Sequence, residues 1–255
     1  MSVNFPGISA PGVGTEAPLE MLSACHGRVE HQCATLRRLV SHLAAPGANE
    51  EARTAATNVM RYFDTSAKQH HADEEEDLFP ALIESMAGSD AVCLREMIDG
   101  LTAEHRALEA AWQRLRNVLE RIAAGESIPL TSDDVEALVK VYERHIEREE
   151  NELLPMAARL LSGDDLARVG RAMRERRGLG EIWTRACAAA RSVMSQENED
   201  PDRKPVPCAR CGEVVPISEA KSFEAVDYVV YFCGLDCYAK WAAQEDRPEC
   251  LPRKD

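Results

Sequence analysis

Residues 70–80 read His-His-Ala-Asp-Glu-Glu-Glu-Asp-Leu-Phe-Pro, and residues 145–155 read His-Ile-Glu-Arg-Glu-Glu-Asn-Glu-Leu-Leu-Pro. Both stretches fit one pattern. A histidine is followed by two adjacent glutamates that start four residues later, by a leucine eight residues later and by a proline ten residues later. In an α-helix, residues four apart lie on one face, one turn from each other. Each copy therefore predicts a helix that presents a histidine and a glutamate side by side, namely His70 with Glu74 and His145 with Glu149.

Four segments have apolar residues at steps of three or four, which is typical of amphipathic helices. Each apolar stripe contains one histidine, at His26, His70, His105 and His145. The predicted helices cover residues 19–45, 50–86 with a kink at Pro80, 90–124, and about 132–161 with a kink at Pro155.

The ends of the predicted helices carry start and stop signals. Thr131 to Asp134 form a helix-start cluster, and Glu136 is predicted to complete a capping box with it. Residues 164–177 predict a shorter fifth helix, and residues 181–195 predict a further helical stretch. Short connections between long amphipathic helices favour an all-α, up-down-up-down four-helix bundle.

Two glutamates lie on the inward stripes, where an unpaired carboxylate would cost several kcal/mol to bury. Four imidazoles and two carboxylates facing one core predict a bound cation that turns these groups into ligands. Imidazole and carboxylate donors suit iron, manganese or zinc. The predicted ligands are His26, His70, Glu74, His105, His145 and Glu149.

Other polar residues near the repeat are predicted to face solvent. His71 and Glu75 have the same spacing as His70 and Glu74, but their face continues through Asp64 and Lys68. We therefore choose His70 over His71 as the ligand. The same solvent-facing prediction covers Glu76, Asp77, Glu150, Glu152, His31 and His42, while Cys25, Cys33, Cys93 and Cys187 are predicted to pack as small apolar residues.

Five of the nine cysteines lie in the last fifth of the chain. Cys208-x2-Cys211 and Cys233-x3-Cys237 are two close pairs, enough for a closed tetrahedral zinc site. Residues 228–232 predict a strand, and Cys237 is predicted in the first turn of a short helix that runs through residue 241. Metal binding should supply the folding energy of so small a module. Cys250 is left unassigned.

These features predict five regions along the 255 residues. They are a flexible arm (1–18), a helical bundle with additional helices (19–195), a linker (196–206), a zinc module (207–245) and a tail (246–255).

The net charge of −14 disfavours binding to nucleic acid or to an anionic membrane. No apolar run approaches the roughly 18–20 residues of a membrane helix, and residues 1–18 lack the regions of a signal peptide. We therefore expect a cytoplasmic protein.

Residues 19–177 resemble the hemerythrin-like, HHE cation-binding family, above all in the HxxxE and LFP text of residues 70–80. The set of four histidines and two glutamates is most similar to the repair-of-iron-centres branch, because Leu101 stands where the oxygen carriers have another histidine. The Tyr-Phe-Cys-x3-Cys text from residue 231 resembles treble-clef fingers of the TRASH or MYM type.

The resemblance implies two non-haem irons joined by an oxo or hydroxo bridge, with a position open for nitric oxide or dioxygen. The expected function is a sensor, a scavenger or an iron-centre repair and stress factor, rather than a classical enzyme. Two alternatives remain open: a di-iron oxidase or peroxidase, and a metal-stabilised adaptor that binds a protein partner through its zinc finger.

Overall fold

The computed structural model describes residues 17–45, 47–86, 90–178, 205–208, 210–211, 213–216, 221–224, 229–232 and 234–242. They divide into two compact units, one formed by residues 22–169 and the other by the described residues on either side. The predictions for the arm up to residue 16, the helix at 181–195, the linker up to residue 204, Cys187, Cys233 and Cys250 lie outside the described residues.

The described part of the chain up to residue 178 is helical, as predicted. Two short π-helical segments, Glu74–Leu78 and Glu149–Leu153, interrupt the second and fourth of the long predicted helices. The α-helices are α1 (Pro18–Ala44), α2 (Glu50–Asp64), α3 (Ser66–Asp73), α4 (Phe79–Ser85), α5 (Asp90–Ala123), α6 (Ser132–Arg148), α7 (Leu154–Leu160) and α8 (Gly163–Arg176).

Contacts along α2 and α5 show that these helices run antiparallel. The Arg53 guanidinium donates to the Ala123 carbonyl over 3.1 Å, near the start of α2 and the end of α5. Further along, the Trp112 indole N–H donates to the Asp64 carboxylate over 2.9 Å.

The fourth bundle helix returns antiparallel to α1. Arg37 bonds Glu136 at 2.7 and 2.8 Å near the end of α1 and the start of α6. Near the other end of the pair, the His26 Nε2 lies 3.0 Å from the Glu149 carboxylate. Together with the antiparallel α2 and α5, this arrangement gives the up-down-up-down bundle that the sequence predicts.

A π turn precedes each proline at which a kink was predicted. Proline has no N–H, and its ring clashes with the carbonyl four residues earlier, so a regular α-helix cannot continue through it. Here the Phe79 N–H bonds the Glu74 carbonyl five residues back, and the Leu154 N–H bonds the Glu149 carbonyl in the same way. Each π turn therefore begins at a predicted ligand, and such turns are frequent at functional sites.

The start of α6 differs in one detail from the prediction. Thr131 is the N-cap, and its side chain accepts the N–H of Asp134. The predicted capping-box partner, Glu136, instead pairs with Arg37 of α1. A capping box pairs the N-cap with the residue three positions later, which here is Asp134. Glu136 lies five positions after the cap.

The bundle core combines aliphatic stripes with an aromatic cluster. The Phe63 ring lies 4.7 Å from Trp112 and 5.5 Å from Tyr142, measured between ring centroids. The buried aliphatic residues include Leu22, Val29, Leu36, Val59, Leu78, Leu101, Leu108, Leu115, Leu138 and Leu153. None of the described helices is both long enough and apolar enough to cross a membrane.

The described residues from 205 to 242, termed the carboxyl-terminal unit, contain two antiparallel strand pairs and a helix. Its elements are β1 (Pro205–Pro207) paired with β2 (Val214–Pro216), β3 (Lys221–Glu224) paired with β4 (Val229–Phe232), and α9 (Leu235–Ala242). The register of the second pair places Phe223 opposite Val230. β4 confirms the predicted strand to within one residue, and Cys237 lies in the first turn of α9, as predicted.

Replacing Phe63 with alanine should destabilise the bundle by about 3–5 kcal/mol, because the side chain is 2% exposed and fills the centre of the aromatic cluster. Urea unfolding of the metal-free protein measures this. Val92→Ala is the control, since Val92 is 57% exposed and the change should stay within about 0.5 kcal/mol. Equal effects for the two variants would contradict this description of the core.

Candidate metal centre

The bundle brings together all six residues that the sequence predicts as ligands. None of them is more than 3% exposed to solvent. Their donor atoms form two overlapping groups, and within each group all atoms lie within 4.8 Å of one another. One group contains His26, His70, Glu74 and Glu149, and the other contains Glu74, His105, His145 and Glu149.

The Glu149 carboxylate lies between histidines of both groups. Its Oε2 is 3.0 Å from the Nε2 of His26. Its Oε1 is 3.1 Å from the Nε2 of His145 and 3.9 Å from that of His105. One oxygen of this carboxylate therefore faces each group.

The Glu74 carboxylate divides its oxygens in the same way. Its Oε1 is 3.5 Å from the Nε2 of His70, and its Oε2 is 3.3 Å from the Nε2 of His105. Both glutamates are fully buried, yet none of their four oxygens has a hydrogen bond of proper geometry with any described residue. Buried carboxylates without donors are costly, so this arrangement requires bound cations or protons.

Three of the histidines carry a carboxylate on the ring nitrogen that points away from the site. A carboxylate in this position accepts the Nδ1–H and leaves the Nε2 lone pair free to bind a metal. The pairs are His26 with Glu150 at 2.5 Å, His105 with Glu75 at 2.7 Å, and His145 with Glu104 at 2.9 Å.

Glu75 and Glu150 were predicted only to be solvated, and the structure shows that each of them also contacts a histidine. Glu75 is 20% exposed and Glu150 is 37% exposed, and each touches a histidine of the site. The third such carboxylate, Glu104, was not singled out from the sequence. It has no distinguishing spacing, because it reaches His145 across the interface between α5 and α6.

Two arginines hold these outer carboxylates in place. Arg106 bonds Glu75 at 3.0 and 2.6 Å, and Arg148 bonds Glu104 at 3.3 Å. Arg148 crosses α5 directly over Gly100, where an added Cβ would lie 2.9 Å from its Nη1. A glycine at this position therefore lets the arginine reach Glu104.

The Nε2 atoms of His105 and His145 lie only 3.1 Å apart. Because both rings direct Nδ1 towards a carboxylate, the neutral rings would point two lone pairs at each other. A proton or a metal ion between or beside them removes this repulsion. The geometry therefore indicates a site built for positive charge.

The pKa values show how protons neutralise the site without metal. Burial alone would lower the pKa of His26, but the adjacent Glu149 and Glu74 carboxylates outweigh it and raise the pKa to about 9. The same balance raises the pKa of His105 to about 10. Burial and the nearby charge of Glu149 raise the pKa of Glu74 to about 6.

His71 does not face solvent as predicted. Its ring stacks on His105 with a centroid distance of 4.0 Å, and its Nε2 is inaccessible to solvent. The face that it shares with Asp64 and Lys68 lies beside α5. Asp64 accepts the indole N–H of Trp112, whereas Lys68 is about half exposed. A polar stripe can face a neighbouring helix as well as water, which the sequence pattern does not distinguish.

The carboxyl-terminal unit contains a separate group of thiols. The sulfur atoms of Cys208, Cys211 and Cys237 lie within 4.8 Å of one another. The Cys208 N–H donates to the Glu213 carbonyl over 2.8 Å, which closes the turn between β1 and β2 around the first cysteine pair. The predicted fourth ligand, Cys233, lies outside the described residues.

The fold and the buried His–Glu cluster define a metal-binding helical bundle. Residues 17–157 match the model of the hemerythrin HHE cation binding domain, and the chain belongs to this family. Residues 186–254 match a domain of unknown function, DUF3330. An uncharacterized protein of Haemophilus influenzae is 32% identical over 164 residues, which cover 64% of this chain and 92% of that protein.

Family membership implies a metal cofactor, and iron, which the family name suggests, is among the metals that imidazole and carboxylate donors suit. The residues present fit such a cofactor. The four orphaned carboxylate oxygens and the converging imidazole nitrogens provide nitrogen and oxygen donors, with no thiolate in either group.

Glu104→Gln should lower metal affinity by about 10-fold to 100-fold, because a neutral amide no longer supports the Nδ1–H of His145 with a negative charge. Chelator competition with ferrous iron measures the change. Glu147→Gln is the control, since Glu147 is exposed on α6, two residues after His145. Unchanged affinity in Glu104→Gln would show that the carboxylate does not support the ligand.

Thermal stability of the metal-free protein should fall as the pH rises from about 7 to about 10. The folded pKa values of His26 and His105 lie above the usual value of 6.5, so their stabilising protons are fully bound below pH 6.5 and are lost as the pH passes about 9 and about 10.

The fall in thermal stability with rising pH should be smaller in the metal-loaded protein, where cations replace these protons. The fall should also be smaller in the His26→Gln variant. Calorimetric melting temperatures across this pH range provide the measurement, and a constant melting temperature of the metal-free protein up to pH 10 would contradict the proton assignment.

Proposed function

We propose that this protein binds two non-haem irons in its bundle and uses them to bind nitric oxide or dioxygen as a sensor, a scavenger or an iron-centre repair factor. One observation carries the proposal. Glu74 and Glu149 each direct one oxygen towards the His26 and His70 side and the other towards the His105 and His145 side. Two bridging carboxylates between two pairs of imidazoles are a donor set for two metal ions rather than one.

On this proposal, His26 and His70 would hold one iron, His105 and His145 would hold the other, and Glu74 and Glu149 would offer an oxygen to each side. When bound, ferrous iron supplies an open coordination position and an electron for a diatomic ligand. The outer carboxylates keep the imidazoles in the orientation for binding.

Apolar walls support a binding role. The Phe79 ring lies parallel to the His105 ring at a centroid distance of 6.2 Å, and Leu78, Leu101 and Leu153 are fully buried. Excluding water from the site would slow oxidation of the ferrous form. A small, uncharged ligand such as nitric oxide or dioxygen suits such surroundings.

The thiol group favours a second metal of a different kind. We propose one zinc held by Cys208, Cys211 and Cys237, with Cys233 as the fourth ligand and a treble-clef arrangement of the unit. The three clustered sulfurs support the proposal, since thiolates are the usual ligands of structural zinc. A unit stabilised in this way could present its surface to a protein partner.

Protein purified without oxygen should contain about two iron and about one zinc per chain, as the two ligand sets suggest. Adding nitric oxide to the reduced protein should give an iron-nitrosyl spectrum. Glu149→Gln should lose iron and the nitrosyl signal but keep its zinc. Glu152→Gln, an exposed position on the next turn, is the matched control.

The outcomes separate the competing functions. A bundle that takes up no more than one metal ion, or one that takes up two irons and gives no nitrosyl signal, would overturn the proposal. Sustained consumption of hydrogen peroxide by the iron-loaded protein would favour the oxidase or peroxidase alternative instead.

A further inference from the structure

A continuous line of aromatic rings runs from the metal centre to the partly exposed end of α2. The His71 ring stacks on His105 at a centroid distance of 4.0 Å and lies 6.4 Å from Tyr142. The Phe63 ring then lies 5.5 Å from Tyr142 and 4.7 Å from Trp112. Ring centroids up to about 7 Å apart are in contact, so every step of this aromatic line is a direct contact.

The outer end of the aromatic line has a proton acceptor. The Trp112 indole N–H donates to the Asp64 carboxylate over 2.9 Å. Trp112 is only 2% exposed, whereas Asp64 is 26% exposed and lies 2.9 Å from the Arg116 guanidinium. An indole that loses an electron becomes a strong acid, so its N–H proton passes readily to a neighbouring base. Asp64 is placed to accept that proton and to exchange it with water.

The other rings of the aromatic line are less suited to lose an electron. A phenylalanine ring such as that of Phe63 is harder to oxidise than an indole. A phenol gives up its electron together with its proton, and burial raises the pKa of the Tyr142 hydroxyl above its ordinary value. Trp112 is therefore the ring at which the loss of an electron costs least.

We propose that Trp112 donates single electrons to the oxidised metal centre along the aromatic line. When hydrogen peroxide oxidises the centre, one electron passes from the indole to the centre, and the indole proton passes to Asp64. The centre is reduced by one electron, and a neutral indolyl radical remains on Trp112. A dissolved thiol or ascorbate then returns one electron, and Asp64 returns the proton.

This electron route gives the bundle a protective activity. Electron transfer slows steeply with the length of each step, so closely spaced rings carry charge further than one long step does. Oxidising equivalents that leave by this route no longer attack the buried imidazole ligands. The proposal rests on the iron site proposed above, because a redox-inert metal would not accept the electron.

The first test needs no substitution. Wild-type protein loaded with iron or with zinc, and freed of unbound metal, is treated with hydrogen peroxide. Because Trp112 is buried, peroxide in solution reaches it poorly, and peptide mass spectrometry should find oxygen added to Trp112 in the iron-loaded protein alone.

Two results of this first test count against different claims. Equal oxidation of Trp112 in the two forms, or an intact Trp112 in protein that holds two irons, would overturn the electron route. Fewer than two irons per chain in the same samples would instead reject the proposed function.

The second test detects the radical directly. Iron-loaded protein mixed with peroxide and rapidly frozen should give an electron paramagnetic resonance signal that narrows when ring-deuterated tryptophan is incorporated. Trp112→Phe should abolish this signal. Trp241→Phe, which replaces a tryptophan of α9 in the carboxyl-terminal unit, is the matched control and should retain it. A signal that survives Trp112→Phe would contradict the proposal.

The third test addresses the proton. Asp64→Asn keeps the size of the side chain and a hydrogen-bond acceptor but removes the base, so the optical spectrum should change from that of the neutral radical to that of the radical cation. Asp133→Asn, at an exposed position of α6, should leave the neutral radical unchanged. A neutral radical in Asp64→Asn would refute the role of Asp64.

A pure packing role for Trp112 predicts another pattern. Trp112→Phe would then lower the melting temperature of the metal-free protein, and wild-type protein with two bound irons would give no tryptophan radical. That result would overturn the proposal. If Trp112→Phe does not fold, the peptide analysis of wild-type protein decides the question.

Discussion

Two carboxylates at the centre of an apolar bundle form the constraint to which the rest of the site responds. Glu74 and Glu149 are fully buried, and no described residue gives either of them a hydrogen bond of proper geometry. Their charge must therefore be balanced by protonated imidazoles or by metal ions. This need explains why each bundle helix contributes a histidine to the same point, and why the pKa values of His26 and His105 are raised.

The surroundings extend this balance outward in layers of alternating charge. The buried glutamates face the inner ring nitrogens, the outer ring nitrogens face a second set of carboxylates, and arginines hold two of those carboxylates at the surface. In one such series of contacts, Glu149 faces His145, His145 bonds Glu104, and Glu104 bonds Arg148. These contacts fix both the orientation and the tautomer of the imidazole, which a metal ligand requires.

The two units of the chain present different donor chemistry. The bundle offers nitrogen and oxygen atoms, whereas the described cysteines of the carboxyl-terminal unit cluster as sulfur atoms alone. Iron with open positions suits the first set, and a closed structural zinc suits the second.

The sequence by itself determined the bundle and its helix limits to within a few residues, because both follow from helical periodicity. It also determined the convergence of six histidine and glutamate side chains, because buried carboxylates need partners. Only the tertiary structure decided the contacts of residues whose role depends on a neighbouring helix. His71, Glu75 and Glu150 have polar spacing that fits solvent equally well, and Glu104 has no pattern at all. The π turns also came from the structure, because a proline signals an interruption of the helix but not whether the chain bends or takes in an extra residue.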